Sequence, residues 1–462
     1  VSTPLFPDGG QAIWEAAKPF QIEDAEYVLQ YGHSVLGHKT GLGKTFISMM
    51  CMAKWAPERT LLVGTTSSCA TWERQLLRWG GVKPVFMQGK TNADWNAAVK
   101  GAPGVYSCTF ATFRYLMAPY ESGKVHFDLV VDDELHRAMR HRNATVAAHN
   151  RLRYKNYLGL SATWSSRGPQ DCYPVLHLMD RRQFPSYWRF VNTWCHVERT
   201  EGMGTQIFGV RNVENLRALL RRGFYRTRTW PEVGGQFREG SDKPPIVRRR
   251  VKLPMSKEQS KMYDTFHADM MMSLGDVTVI TQNELVKLTR LLQVAVSPKI
   301  LFPDADVGPG IRYLCDQVSE DPHVVIFCPY TEALPIIREA LIGDGYPAHA
   351  IFMMHGQMRL SPTDINDTIA KWKKVSGVML LTVAFAQSFE TDTTFNAYML
   401  GFSWDPNDNE QAEGRLRRMD SLIQVPCVVN YIIPEGSEFE RVEDVVDGKM
   451  RNTSQYMLGL KA

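Results

Sequence analysis

The chain has 462 residues, of which 44% are hydrophobic, and a formal net charge of +4. That length exceeds one ordinary domain and suits two or three, with enough apolar residues to fill sizeable cores. The near-balanced charge neither favours nor excludes nucleic acid, so local clustering has to decide. No run of about 18 apolar residues occurs, which argues against a helical membrane span. The eight cysteines, at 51, 69, 108, 172, 195, 315, 328 and 427, form no CxxC pair. They read as reduced thiols of a cytosolic protein rather than a zinc site. The first residues, VSTPLFPDGG, lack a signal-peptide pattern. A soluble, cytoplasmic protein is expected.

The first strong signal in chain order is HKTGLGKTF, residues 38–46. Glycines 41 and 43 let backbone approach phosphates, and the helix that follows offers free N–H groups and a favourable dipole. Lys44 would reach the β- and γ-phosphates, and Thr45 would bind magnesium. His38 stands where the strict pattern has a glycine, so the match is to the shorter TGxGKT form, and other P-loop enzymes would fit equally well. The apolar runs TLLVGTT (60–66), FDLVVDDE (127–134) and NYLGLSAT (156–163), separated by helix-like stretches such as ATWERQLLRW, predict buried strands of a parallel sheet. Asp133 and Glu134 leave the second run at its C-terminal end, the ligand-binding edge of such a sheet. Asp133 can hold magnesium, and Glu134 can orient the attacking water.

Residues from about 165 to 310 read as mostly helical, interrupted by the Gly-, Pro- and charge-rich VGGQFREGSDKPP (233–245). A second strand group follows: HVVIFCP (323–329), GVMLLTV (377–383), AYMLGF (397–402) and CVVNYII (427–433). Within PNDNEQAEGRLRRMD, Asp408 reads as a helix cap. Gln411, Arg415 and Arg418 fall on one helical face, two guanidiniums suited to a γ-phosphate.

In this order the pieces resemble a superfamily 2 helicase motor, most closely the Swi/Snf-type DNA translocases. KPFQIEDAEYVL is similar to the family's Q motif, which gives Gln21 the adenine edge and puts Phe20 beside it. TGLGKT resembles motif I, with Thr40, Gly41, Leu42, Gly43, Lys44 and Thr45 around the nucleotide. LLVGTTSSCATWERQLLRW resembles motif Ia, CTFATF motif Ib, DELH the DEAH box, LSAT motif III, VVIFCPYTEAL motif IV and QAEGRLRR motif VI. GFYRTRTWPEV, VKLPMSKEQSKMYDTF and LVKLTRLLQVAVSP resemble segments particular to the Swi/Snf branch. Departures are HKT before GLGKT, Trp164 after the motif III SAT, and a motif V, TVAFAQSFETD, without glycine.

The resemblance implies an α/β fold of two RecA-like parallel-sheet lobes with helical protrusions inserted between the core motifs. The first lobe would take 1–240, with a protrusion at 165–232, and the second 241–462, with one at 251–300. It implies ATP and Mg2+ as cofactors. Lys44, Asp133, Glu134, Gln411, Arg415 and Arg418 would be catalytic, and Thr45 and Asp133 the metal ligands. His136, Ser161 and Thr163 would couple the sites, and Thr66, Trp72, Thr109, Thr112, Arg137, Arg140 and Thr382 would touch DNA. Basic runs at 137–155, 181–190, 216–228 and 247–252 suit phosphate contacts that do not read sequence. Phe184, Tyr187 and Trp188 read as core packing before base stacking. The implied function is a monomeric, DNA-dependent ATPase translocating along duplex. A strand-separating or branch-migrating helicase, an RNA-dependent ATPase and an inactive DNA-binding scaffold stay open.

Overall fold

The computed structural model of the chain describes residues 6, 10–88, 93–137, 139, 143–162, 164–165, 168–200, 204–233, 246–268, 271–274, 277–280, 284–388, 393–404, 406–416 and 425–442. These divide into two compact units, one over the described residues of 1–242 with 361–363, the other over those of 243–360 and 364–450.

The first unit is built on a seven-stranded sheet. Its strands are β1 (His33–Leu36), β2 (Arg59–Gly64), β3 (Val85–Phe86), β4 (Gly104–Thr109), β5 (Val125–Asp133) and β6 (Leu152–Leu160). An antiparallel hairpin of β7 (His196–Thr200) and β8 (Gly204–Phe208) follows, and then β9 (Tyr225–Arg226), which returns to the sheet. The spatial order is β3-β4-β2-β5-β6-β1-β9, every pair parallel. Parallel strands are buried on both faces, so alternate residues feed two cores. Leu36, Leu62, Leu129, Val131, Leu158 and Leu160 pack in one, with the helices Pro19–Tyr31, Lys44–Trp55 and Thr66–Gly80. Val35, Leu61, Val63, Val130 and Tyr157 pack in the other, with the helices Phe110–Met117 and Tyr173–Met179. Each fully buried Leu, Val or Phe contributes about 1.5–3 kcal/mol.

Register places the functional ends of three strands on one row. Leu36 of β1 and Asp133 of β5 both pair with Leu160 of β6. With strands about 4.8 Å apart, the loop after β1 and the carboxylates after β5 start roughly 10 Å from each other on the same sheet edge.

The second unit is a six-stranded parallel sheet. Its strands are β10 (Ile246–Leu253), β13 (Val325–Cys328), β14 (Ile351–Met354), β15 (Val378–Thr382), β16 (Asn396–Leu400) and β17 (Cys427–Pro434), in the order β10-β17-β16-β13-β15-β14. Between β10 and β13 lies an antiparallel hairpin of β11 (Met271–Leu274) and β12 (Val277–Ile280). Val325, Ile326 and Phe327 are fully buried, as are Met379, Leu380 and Leu381. Cys328 pairs with Thr382, so the segments after β13 and β15 also leave from one edge.

The stretch expected to be mostly helical carries two hairpins and an edge strand for each main sheet. The composition supports this: HVERT, IVRRRVKL and VTVI are rich in β-branched residues at strand spacing. Methionines 271 and 272, within the stretch expected to be mostly helical, lie in β11. The helices of that stretch include Tyr173–Met179, Tyr187–Trp194 and Val213–Leu220 in the first unit and Lys257–Ala268 and Glu284–Val296 in the second.

Candidate nucleotide site and its supports

The loop 37–43 leaves β1 and enters the helix Lys44–Trp55. Gly41 (φ +86°) and Gly43 (φ +78°) take left-handed conformations that a side chain resists, and Gly43 caps the helix. Lys44 and Thr45 therefore occupy its first two positions, where a helix provides no intrahelical acceptor for the backbone N–H groups. The Lys44 ammonium donates to the His38 carbonyl at 2.9 Å, folded back over its own loop.

The floor of this loop is charged and closed. His38 is fully buried and its Nε2 donates to Asp24 at 2.8 Å. Asp24, on the helix Pro19–Tyr31, also accepts from Arg226 and Arg228, which pair with Glu23 as well. Burial alone would raise the Asp24 carboxyl, but hydrogen bonds from His38 and Arg228 hold it well below the carboxylate range. Burial pushes His38 down, so the ring is neutral beside its cationic neighbours. The backbone after β9 is laced to the loop: Gly37 N–H donates to Arg226 O, Lys39 N–H to Arg228 O, and the Trp230 indole to Thr40 O. Two of the five arginines in the run 216–228 thus serve the interior of the fold rather than a phosphate track.

Phe20 is buried, 6.4 Å from the His38 ring. Gln21 Oε1 accepts from the backbone N–H of Lys18, while its buried Nε2 has no hydrogen-bond partner among the described residues.

At the end of β5 the chain alternates faces. Asp132 turns into the second core, where it meets His149 Nε2 (3.0 Å) and the Tyr157 hydroxyl (2.7 Å). His149 Nδ1 donates to Thr145 O at 2.9 Å, so both ring nitrogens face acceptors. Burial opposes the charged ring, but Asp132 outweighs it and His149 is raised above its ordinary value. Asp133 turns to the nucleotide-loop face and accepts from the Trp72 indole N–H at 3.1 Å. Glu134 sits at φ +56°, a left-handed position that costs a side-chain-bearing residue about 1–2 kcal/mol. His136 Nδ1 lies 3.5 Å from Glu134 and 2.9 Å from the Ser161 hydroxyl. Ser161 N–H donates to Leu36 O, so the strand end beneath the loop, Ser161, His136 and Glu134 form a continuous chain of contacts.

In the second unit the helix Pro406–Gly414 follows β16. Asp408 lies inside its first turn rather than capping it, because the helix begins two residues earlier at a proline. The helix ends at Gly414, and Arg415 continues in a tighter turn whose N–H donates to Ala412 O. Gln411 thus lies within the helix and Arg415 in the turn beyond its end, so these two do not share one continuous helix. Gln411 is buried, Arg415 is half-buried, and Arg418 lies outside the described residues. Glu413, missed by sequence reasoning, anchors this helix: Arg248 of β10 grips it through Nε (2.5 Å) and Nη2 (2.6 Å), and the Tyr431 hydroxyl donates at 2.6 Å. Nothing in its sequence position marked it, because its partners Arg248 and Tyr431 come from distant strands. The glycine-free segment after β15 forms a 3-10 turn, Val383–Ser388, which needs no left-handed residue.

The model of the SNF2-related domain family matches residues 21–300, more than half of the chain. The chain belongs to the SNF2-related family. It is 22% identical over 448 residues to the SWI/SNF-related matrix-associated actin-dependent regulator of chromatin subfamily A-like protein 1 of Drosophila melanogaster, covering 95% of this chain and 55% of that protein. It is 20% identical over 468 residues to Protein CHROMATIN REMODELING 5 of Arabidopsis thaliana, covering 92% and 26%. The chain thus spans about half the length of the fly relative and about a quarter of the plant one. Among solved structures, the Sulfolobus solfataricus SWI2/SNF2 ATPase core in complex with dsDNA is similar at 16% identity and a TM-score of 0.40, over 96% of this chain and 93% of that one.

The residues that the SNF2-related resemblance assigned to DNA are placed unevenly. Trp72 is 1% exposed and spends its N–H on Asp133, and Thr382 is 6% exposed at the end of β15, so neither presents a surface for a backbone. Thr109 caps the helix Phe110–Met117 by accepting from Thr112 N–H, and the two hydroxyls lie 3.0 Å apart. Thr66 is half-buried at the start of its helix. Arg140 and Thr163 lie outside the described residues, as does the Arg137 side chain. Of the run 137–155, Arg153 and Lys155 are exposed near the start of β6, at the sheet edge opposite the nucleotide loop. Phe184 packs against Phe190 and Phe224 as a core residue, Tyr187 packs on Tyr173, and Trp188 is 41% exposed. All eight cysteines are buried thiols outside any disulfide. Among the described residues no helix is long and apolar enough to cross a membrane.

Proposed function

We propose that this SNF2-related chain is a DNA-dependent ATPase that moves along duplex DNA. The observation that carries the reading is the shared row: Leu36, which opens the glycine loop, and Asp133 pair with the same residue of β6. A loop with Lys44 and Thr45 at a helix start, level with a carboxylate pair at a parallel sheet's C-terminal edge, suits a nucleoside triphosphate. The buried Nε2 of Gln21, unpartnered among the described residues, supplies a donor for an adenine acceptor. DNA is favoured as the track because the relatives are named for chromatin.

Magnesium fits the donors present: a Thr45 hydroxyl and an Asp133 carboxylate are hard oxygen ligands. Among the described residues no cluster of three His, Cys, Asp or Glu could hold a metal alone. That agrees with an ion bound through one or two protein groups plus phosphate oxygens. When bound, it would neutralise charge developing on the phosphates. The chain's residues do the rest in this reading. Lys44 leaves the His38 carbonyl for the phosphates. Glu134 orients water for attack, and His136 and Ser161 connect that carboxylate to the loop strand. Arg415 and Arg418 contribute guanidiniums from the second lobe, with the lobes taken as 1–240 and 241–462.

The test is ATP hydrolysis by the chain alone and with single-stranded, duplex, forked and four-way DNA, with RNA alongside. Strong stimulation by duplex supports the proposal. Stimulation confined to forks together with strand separation would favour a helicase, and stimulation by RNA alone would remove DNA as the track.

A further inference from the structure

We propose that Trp72 is a positioning residue for the metal-binding carboxylate Asp133, an inference that rests on the ATPase reading above. Trp72 is 1% exposed, yet its indole N–H reaches Asp133 Oδ2 at 3.1 Å. An indole can only donate, so it cannot itself ligate a cation. What it can do is fix rotation about the carboxylate's Cβ–Cγ bond and so decide where Oδ1 stands. Groups that hold a metal's ligands in this way typically change metal affinity by about 10–100-fold when removed.

The helix Thr66–Gly80 that carries Trp72 has a firmly fixed start beside the end of β2. Its N-cap, Thr65, accepts from Ser68 N–H, and the Ser67 and Ser68 hydroxyls crowd the same oxygen. Gly64, just before, allows this: a Cβ there would come within 3.0 Å of Ser68 Cβ and 3.3 Å of the Asp133 carbonyl oxygen. The helix start and the Asp133 carbonyl therefore both close on Gly64, and Trp72, lower on the same helix, reaches the Asp133 side chain. The Asp133 side chain is thus referenced to a helix whose own start is fixed.

The experiment compares wild type with Trp72→Phe, which keeps an aromatic ring and deletes the donor. A second variant, Trp72→benzothienylalanine, keeps the bicyclic shape with no N–H and serves if the phenyl ring packs poorly. Trp95→Phe, a buried tryptophan stacked on Phe127 6.0 Å away, controls for lost volume. Binding of a fluorescent ATP analogue is titrated with Mg2+ and, separately, in EDTA. For both Trp72 variants the Mg2+ concentration giving half-maximal binding should rise about 10-fold, with EDTA binding unchanged. The Trp95 variant should match wild type. Unchanged Mg2+ dependence in a folded Trp72 variant overturns the proposal while leaving the ATPase reading intact. Equal losses with and without Mg2+ would make Trp72 a packing residue and also overturn it. A wild type that binds no nucleotide in Mg2+ would instead remove the ATPase reading itself.

Discussion

Asp132 and Asp133 are neighbours in sequence and face opposite sides of one sheet. The first is sealed between His149 and Tyr157; the second meets Trp72 on the nucleotide-loop side. Strand alternation imposes this split, and it separates two jobs that the string DDE runs together.

The two aspartates should therefore fail differently. Asp132→Ala leaves a buried imidazolium without its counter-charge and should cost about 3–5 kcal/mol of stability. Asp133→Asn should leave denaturant stability near that of wild type and remove Mg2+-dependent nucleotide binding. Chemical denaturation and nucleotide titration of both variants check this.

His149 gives a pH signature. Its folded pKa lies above the ordinary 6.5. Its stabilising contribution is thus fully present below pH 6.5 and is given up as pH climbs through the folded value. His38, pushed below 6.5 by burial, acts in the other window, where stability is lost as pH falls beneath 6.5. Above pH 6.5 the thermal midpoint of wild type should decline more steeply than that of His149→Gln. Parallel declines would contradict the imidazolium assignment.

Glu134→Gln should keep nucleotide binding and stop hydrolysis, because the amide retains shape and loses the basic oxygen. Its left-handed backbone belongs to the turn and should persist. Single-turnover hydrolysis beside equilibrium binding separates the two, and lost binding would mean the carboxylate has another role.

In the second unit, Arg248→Met strips a bidentate partner from buried Glu413 while Tyr431 remains. A loss of about 1–3 kcal/mol is expected, the cost of a half-satisfied buried group. Thermal melting of the variant, read by circular dichroism, checks it.

The strands and the loop were legible because buried parallel strands are short apolar runs, and because TGLGKT and DELH carry chemistry in fixed spacing. What the sequence concealed is partnership. Trp72 and Thr109 sit in segments resembling nucleic-acid motifs, yet their polar atoms close on Asp133 and Thr112. Arg226 and Arg228 look like any basic run until β9 lays them beside Asp24, which is 202 residues from the nearer arginine in sequence. His38 reads as a departure from a motif; in the fold it is the neutral partner of a buried aspartate. Arg415 was expected on the helix of Gln411 and lies just past its end for a local reason, since Gly414 favours ending a helix there.

The most direct test of the account is steady-state ATP hydrolysis with and without duplex DNA, for wild type and Lys44→Ala. Duplex should raise the wild-type rate strongly, and the variant should show neither basal nor stimulated turnover while melting as wild type does. Wild-type turnover indifferent to every nucleic acid, or a variant as active as wild type, would contradict it.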